Sequence, residues 1–245
     1  MATPLLWRTF DFSVMKLINL PNIVTCCNLY CGCLSIYFGL SGQIGLACLF
    51  IIGGAIFDFL DGLVARAMHV SGPIGKELDS LADVVTFGLA PSVLCLHILG
   101  THAMPFSWFP LLAFIMAAFS ALRLAKFNID ERQTLSFIGL PTPANAIFWI
   151  GLTYLNEIPA VHQALGGTIY FLIMLICSFL LISELPMFSL KLKPGHNSFG
   201  ENKARYILIA SSIIILVVSW FIGFSYFAAS PALIILLYLL LSIIF

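Results

Sequence analysis

The chain has 245 residues, of which 61% are hydrophobic and only 9% are charged, and its formal net charge at pH 7 is zero. Soluble domains carry roughly 25% charged residues, so this composition excludes an ordinary soluble protein and predicts a chain that crosses a membrane several times. A zero net charge also gives no electrostatic basis for binding nucleic acid.

Eight apolar stretches are long enough for membrane-spanning helices, which need about 20 residues. They fall at residues 21–38, 44–64, 78–99, 106–124, 137–155, 167–185, 206–222 and 226–245. Pro141 and Pro143 interrupt the start of the fifth stretch, and they mark either the beginning of a helix or irregular backbone beside a cavity.

We interpret residues 1–245 as a single integral membrane domain. Residues 1–20 are either an interfacial N-terminal segment or a frayed tail, residues 21–222 contain transmembrane helices one to seven, and residues 223–245 form the last helix. All eleven lysines and arginines lie before the first stretch or in the connections after the second, fourth and sixth. The positive-inside rule then predicts that both termini lie on the cytoplasmic side, and the expected location is the cell (inner) membrane.

The segment DFLDGLVARAMHVSGPIGKELDSLAD, residues 58–83, carries four carboxylates in this apolar chain. They form two pairs, Asp58 with Asp61 and Asp79 with Asp83. Spacings of three and four residues put each pair on one helical face, and the glycines and proline of HVSGPIG permit a reversal between the pairs. Because a carboxylate facing lipid costs roughly 2.5–3.5 kcal/mol, we expect the pairs to meet in the interior, on the cytoplasmic side.

Clustered carboxylates of this kind need compensating positive charge. All-oxygen ligation selects hard cations such as Mg²⁺, Mn²⁺ or Ca²⁺, and a two-metal carboxylate site suits substitution at phosphorus. Gly62 lets a ligand approach the helix, and Arg66 offers a donor suited to phosphate, so a diphosphate substrate is expected. The alternative is a divalent-ion transporter, because intramembrane acids often mark ion or proton paths.

Eight positions in this segment reproduce the pattern DxxDGxxAR, eight residues, GxxxDxxxD. The residues are Asp58, Asp61, Gly62, Ala65, Arg66, Gly75, Asp79 and Asp83. The pattern resembles the signature of the CDP-alcohol phosphotransferases. The resemblance implies an all-α polytopic membrane protein with a six-helix core, which is commonly a homodimer. Two helices beyond that core are expected here as C-terminal additions without a catalytic role.

The resemblance also implies the roles of the site residues. Two divalent cations, Mg²⁺ or Mn²⁺, would be held by the four aspartates, with Ca²⁺ as an inhibitor or substitute. Asp83 would be the general base. A CDP-linked donor would be bound by the motif residues Gly62, Ala65, Arg66 and Gly75.

Two further stretches are similar to the membrane-embedded phosphatidylserine synthases of that family. They are LPNIVTCCNLYCG, with Asn22 and Thr25, and LRLAKFN at residues 122–128 followed by FIGLPTPANA at residues 137–146. The implied reaction transfers the phosphatidyl group of CDP-diacylglycerol to L-serine. Asn22 and Thr25 are then expected to contact the donor, or else to be interhelical hydrogen-bond partners.

Arg123 and Asn128 lie near the predicted cytoplasmic end of the fourth helix. They are expected to bind the serine carboxylate or a donor phosphate, although Arg123 also suits a role as a topology anchor. The alternative acceptors are glycerol 3-phosphate and inositol. A phosphorylated acceptor would need an additional cationic pocket, and the chain has few basic residues with which to build one.

Overall fold

The computed structural model describes residues 18–69, 72–130, 137–187 and 203–244. Nine helices and two short strands fall within these ranges. The helices are α1 Leu20–Leu40, α2 Ile44–Ala67, α3 Pro73–Gly100, α4 Phe109–Ile129, α5 Thr142–Asn156, α6 Pro159–Ala164, α7 Gly167–Ile182, α8 Lys203–Ile222 and α9 Phe224–Ile244. The strands β1 Phe137–Ile138 and β2 Pro186–Met187 pair antiparallel over two residues each.

Six of these helices, α1 to α4 with α8 and α9, are long and apolar enough to cross a membrane. The prediction of an all-α polytopic membrane protein is therefore confirmed. The shorter α5 and α7 also coincide with predicted apolar stretches. Within α5, ten of the fifteen residues are buried, so this helix occupies the centre of the bundle.

The fifth predicted stretch starts too early. Helix α5 begins at Thr142, with Pro141 immediately before it in an extended conformation and Pro143 in its first turn. Proline lacks an N–H and forces the preceding residue towards extended backbone, so it is favoured where a helix starts and disfavoured in a helix interior. The prolines therefore mark a helix start, and residues 137–138 form β1 instead.

The reversal between the two acidic helices is shorter than HVSGPIG. Helix α2 ends at Ala67, His69 takes a left-handed conformation with φ 51°, and α3 starts at Pro73. Proline is favourable at that first helical position. Gly75 consequently lies within the first turn of α3, so it does not break the helix as expected. Further along α3, a π-helical turn at Val84–Leu89 follows directly after Asp83.

The connections gather at one end of the bundle. Lys76 Nζ in the first turn of α3 donates to the main-chain carbonyl of Asn128 near the end of α4, at 2.7 Å. Lys126 pairs with Glu184 just beyond α7. These contacts bring the basic connections that hold Lys76 and Lys126 to the end of the bundle that also carries the aspartates. Residues 1–17 and 188–202, including most of the expected interfacial segment, lie outside the described residues.

Candidate active site

Three of the four predicted metal ligands come together where α2 meets α3. One carboxylate oxygen from each of Asp58, Asp61 and Asp79 lies within 4.8 Å of the other two. The Oδ1 atom of Asp79 is buried and has no hydrogen-bond partner among the described residues. An all-oxygen set of this size with an unsatisfied buried carboxylate oxygen fits a hard divalent cation.

Asp83 lies one turn deeper along α3, outside that group of three. It is 8% exposed, and its Oδ1 accepts a hydrogen bond from Asn28 Nδ2 at 3.3 Å. Asp83 is therefore not one of the three carboxylates whose oxygens all lie within 4.8 Å of one another, but Asp58 and Asp79 remain its electrostatic neighbours.

Helix α1 supports one carboxylate from each acidic helix. Thr25 Oγ1 donates to Asp61 Oδ2 at 2.6 Å, and Asn28, three residues further along α1, donates to Asp83. Thr25 was expected either at the donor or between helices, and its hydroxyl makes the interhelical bond. Asn28 was missed by sequence reasoning. The available signal was the three-residue spacing of Asn22, Thr25 and Asn28, which aligns polar groups on one face of an apolar helix.

A cleft of about 610 Å³ opens beside the cluster. It is lined by Asn19, Pro21, Asn22, Thr25, Asp61, Gly62, Ala65, Gly72, Pro73, Ile74, Gly75, Lys76 and Asp79. This set contains five of the six residues predicted to bind the CDP-linked donor. The sixth, Arg66, is exposed in the last turn of α2 and is not part of the lining. Asn19 and Lys76 line the cleft without having been predicted.

Arg123 is buried inside the bundle. Only 7% of it is exposed, and its Nη1 donates to Thr142 Oγ1 at 3.2 Å. Its Nε has no hydrogen-bond partner among the described residues, and within the same ranges it forms no ion pair. Asp83 and Tyr238 are its electrostatic neighbours. Such burial does not fit a topology anchor, whose charged end would reach the membrane surface.

Asn128 joins the end of α4 to the start of α3. Its Nδ2 donates to Ser80 Oγ at 2.9 Å and to Glu77 Oε2 at 3.4 Å, while its carbonyl accepts from Lys76. Its side-chain amide nitrogen is therefore engaged by α3, next to a lysine that lines the cleft.

Comparison with known proteins identifies a family for this arrangement. The sequence model of the family described as CDP-alcohol phosphatidyltransferase matches residues 18–244, which include the last two helices. A CDP-diacylglycerol–serine O-phosphatidyltransferase of Bacillus subtilis is 41% identical over 124 residues, or 51% of this chain and 69% of that protein. One of Helicobacter pylori is 38% identical over 129 residues, or 52% of this chain and 54% of that protein.

An archaetidylserine synthase of Methanothermobacter thermautotrophicus is 33% identical over 141 residues, or 56% of this chain and 58% of that protein. The chain thus spans little more than half the length of two of these three relatives. The names of the three relatives share serine and differ in the lipid group.

Proposed function

The chain belongs to the CDP-alcohol phosphatidyltransferase family, and on that premise we propose that it transfers the phosphatidyl group of CDP-diacylglycerol to the hydroxyl of L-serine, releasing CMP. The observation that carries the proposal is the cluster of Asp58, Asp61 and Asp79 on and beside the wall of an open cleft. The serine named in all three relatives supports the choice of acceptor.

We propose that two divalent cations, Mg²⁺ or Mn²⁺, bind here with Asp58, Asp61, Asp79 and Asp83 as ligands. Bound cations would neutralise the phosphoryl oxygens and the CMP leaving group. The three clustered carboxylates and the unsatisfied Asp79 oxygen support this assignment. Thr25 contributes indirectly, because its hydroxyl fixes the orientation of Asp61.

The donor diphosphate would lie in the cleft, where the main chain is accessible. Gly62, Ala65 and Gly75 offer small side chains on its wall, and Asn22 adds polar hydrogen-bonding groups. Gly62 in particular has open space around its Cα, since an added Cβ would meet no atom within 4 Å. Arg66, exposed at the end of α2, would reach a phosphate from the rim.

The chemical step is a substitution at the phosphatidyl phosphorus. The serine hydroxyl oxygen forms a new bond to that phosphorus, and the hydroxyl proton passes to Asp83 as general base. The bond from the same phosphorus to the bridging oxygen of the diphosphate breaks, and its electron pair leaves with CMP. Asp83 suits this role because its Oδ1 is held by Asn28, and because it is not one of the three carboxylates whose oxygens all lie within 4.8 Å of one another.

We propose that Arg123 binds the serine carboxylate. Arg123 is a buried cation with Asp83 as an electrostatic neighbour but without an ion pair among the described residues. A substrate carboxylate would supply that ion pair, and the Nε of Arg123 is available to donate. Asn128 would assist from the end of α4 by holding Lys76 beside the cleft. Glycerol 3-phosphate and inositol remain the alternative acceptors.

We further propose that the protein is a homodimer of the cell (inner) membrane with its active site and both termini in the cytoplasm. The gathering of Lys76 and Lys126 at the end of the bundle that holds the aspartates supports this orientation.

The test is CMP release by purified protein in detergent, supplied with CDP-diacylglycerol and Mn²⁺ or Mg²⁺. We expect release to require both metal and L-serine and to be lost in Asp83→Asn. Glycerol 3-phosphate, inositol and no acceptor serve as parallel arms.

CMP release with another acceptor would leave the metal-site assignment intact but overturn the assignment of L-serine as the acceptor. Metal-dependent release in Asp83→Asn equal to that of the unmodified protein would refute the base assignment. If no acceptor gives CMP release, while sealed vesicles containing the protein take up Mn²⁺, the protein would be interpreted as a divalent-ion transporter and not as an enzyme.

A further inference from the structure

Asn28 connects the middle of α1 to the proposed general base. It is fully buried, and its Nδ2 donates to Asp83 Oδ1 at 3.3 Å. Its main-chain carbonyl accepts a hydrogen bond from Thr86 Oγ1 at 3.0 Å. The two bonds link α1 to α3 on both sides of the point where the π-helical turn begins.

The orientation of the Asn28 amide follows from its surroundings. Its Oδ1 is buried without a hydrogen-bond partner in the described ranges and faces Gly54 of α2, where an added Cβ would lie 2.9 Å away. Rotating the amide by 180° would turn its oxygen towards the Asp83 carboxylate and replace an attraction with a repulsion. An unpaired buried carbonyl is unfavourable. The Asn28 amide therefore keeps its hydrogen bond to Asp83 even though its own Oδ1 is left without a partner.

We propose that Asn28 is a positioning residue for proton transfer, holding Asp83 Oδ1 so that Oδ2 accepts the proton of the attacking hydroxyl. This inference rests on the proposed function, in which Asp83 is the general base. Oδ2 has no hydrogen-bond partner among the described residues, whereas Oδ1 is held by Asn28.

Asn28 acts through Asp83 and not through substrate. It is not among the residues that line the cleft, so its removal leaves the donor-binding surface intact. Without its amide, the Asp83 carboxylate rotates more freely and fewer enzyme–substrate complexes are aligned for proton transfer. Loss of the Asn28 amide should therefore lower kcat and leave KM unchanged.

The experiment measures CMP release by the full chain in detergent with Asn28→Leu, which has a similar size but no hydrogen-bonding atoms. We expect kcat to fall by roughly 10- to 100-fold, with the KM values for both substrates within about threefold of the unmodified protein. The matched control is Ser35→Ala on the same helix. Ser35 donates a buried interhelical bond to the Ala47 carbonyl at 2.8 Å, and its loss should leave kcat within about twofold.

If Asn28→Leu aggregates, Asn28→Ala replaces it, because that change only removes atoms. Unchanged kcat in the soluble Asn28 variant overturns the proposal. An equal loss of kcat in Ser35→Ala also overturns it, because general loosening of α1 would then explain both effects.

Asp83→Asn, measured in parallel, separates this proposal from the one on which it rests. If Asp83→Asn remains active, the assignment of the base fails. If Asp83→Asn is inactive and Asn28→Leu is normal, only the positioning role fails.

Discussion

Arg123 is the residue whose environment departs furthest from the expectation for a basic side chain at a helix end. Its guanidinium is buried and donates to Thr142, whereas Lys126, one turn later, makes an exposed pair with Glu184. Two cations three residues apart therefore have different tasks. The lysine lies where a surface anchor would, and the buried arginine is the residue proposed above to bind an anion.

Replacing Arg123 with lysine tests this difference. Lysine keeps the positive charge but loses the planar set of donors, so one charge-assisted hydrogen bond worth about 1.5–3 kcal/mol is removed. We expect the KM for serine to rise roughly 10- to 100-fold, with the KM for CDP-diacylglycerol changed by less than about threefold. Steady-state CMP release at varied concentrations of each substrate measures both constants.

Lys126→Ala is the matched control for Arg123→Lys, because exposed ion pairs contribute only about 0–1 kcal/mol. We expect it to leave both KM values close to those of the unmodified protein. A rise in the KM for CDP-diacylglycerol alone in Arg123→Lys would assign the arginine to a donor phosphate. No change in either constant or in kcat would remove Arg123 from the site.

At the scale of helices, α1, α2 and α3 approach closely because glycines of α1 and α2 leave room for the side chain of Thr86 on α3. A Cβ on Gly54 would lie 2.9 Å from Asn28 Oδ1, and one on Gly32 would lie 2.5 Å from Thr86 Oγ1. The neighbouring Gly53 differs, since its added Cβ would meet Cys31 Sγ at an ordinary 3.6 Å. Adjacent glycines of one helix thus have opposite tolerance for a methyl group.

Gly54→Ala should therefore destabilise the protein, because overpacking a tight interface costs about 1–3 kcal/mol. For a chain of this size that corresponds to a midpoint of thermal unfolding lower by roughly 2–12 °C. Gly53→Ala should leave the midpoint unchanged or raise it slightly, since alanine favours a helix by up to about 1 kcal/mol over glycine. Thermal unfolding of both variants in one detergent makes the comparison, and equal midpoints would contradict the close approach.

Sequence spacing was sufficient to pair the aspartates, but it could not predict that Asp83 has different surroundings from the other three. The separations between Asp58 and Asp61 and between Asp79 and Asp83 depend on helix geometry alone. Asp83 differs from the other three in its environment, because a third helix supplies Asn28 and a π-helical turn follows it, and both depend on tertiary packing. The burial of Arg123 was likewise hidden, since a basic residue at the end of an apolar stretch has the same sequence pattern whether it is an anchor or a ligand-binding group.

At the scale of the whole molecule, the last helix is part of the core. Helix α9 packs along the central α5, where an added Cβ on Gly151 would lie 2.8 Å from Ala232 Cβ and 3.0 Å from the Ala229 carbonyl. Tyr238 of α9 packs in a cluster with Leu140, Met187, Leu208 and Leu241. Hydropathy correctly predicted that these C-terminal helices exist, but it carries no information about their partners.

Gly151→Ala tests whether the contact between α5 and α9 supports the fold. We expect it to lower the midpoint of thermal unfolding by roughly 2–12 °C, because backbone atoms of α9 cannot move aside as a flexible side chain would. CMP release measured well below that midpoint should remain close to normal, since neither Gly151 nor its neighbours on α9 line the cleft.

Gly100→Ala is the matched control, because its added Cβ would meet nothing within 4 Å. If Gly151→Ala unfolds at the same temperature as Gly100→Ala and the unmodified protein, α9 is an attachment that the catalytic core does not need. A lowered midpoint with preserved turnover would instead make the last helix a structural support for the centre of the bundle.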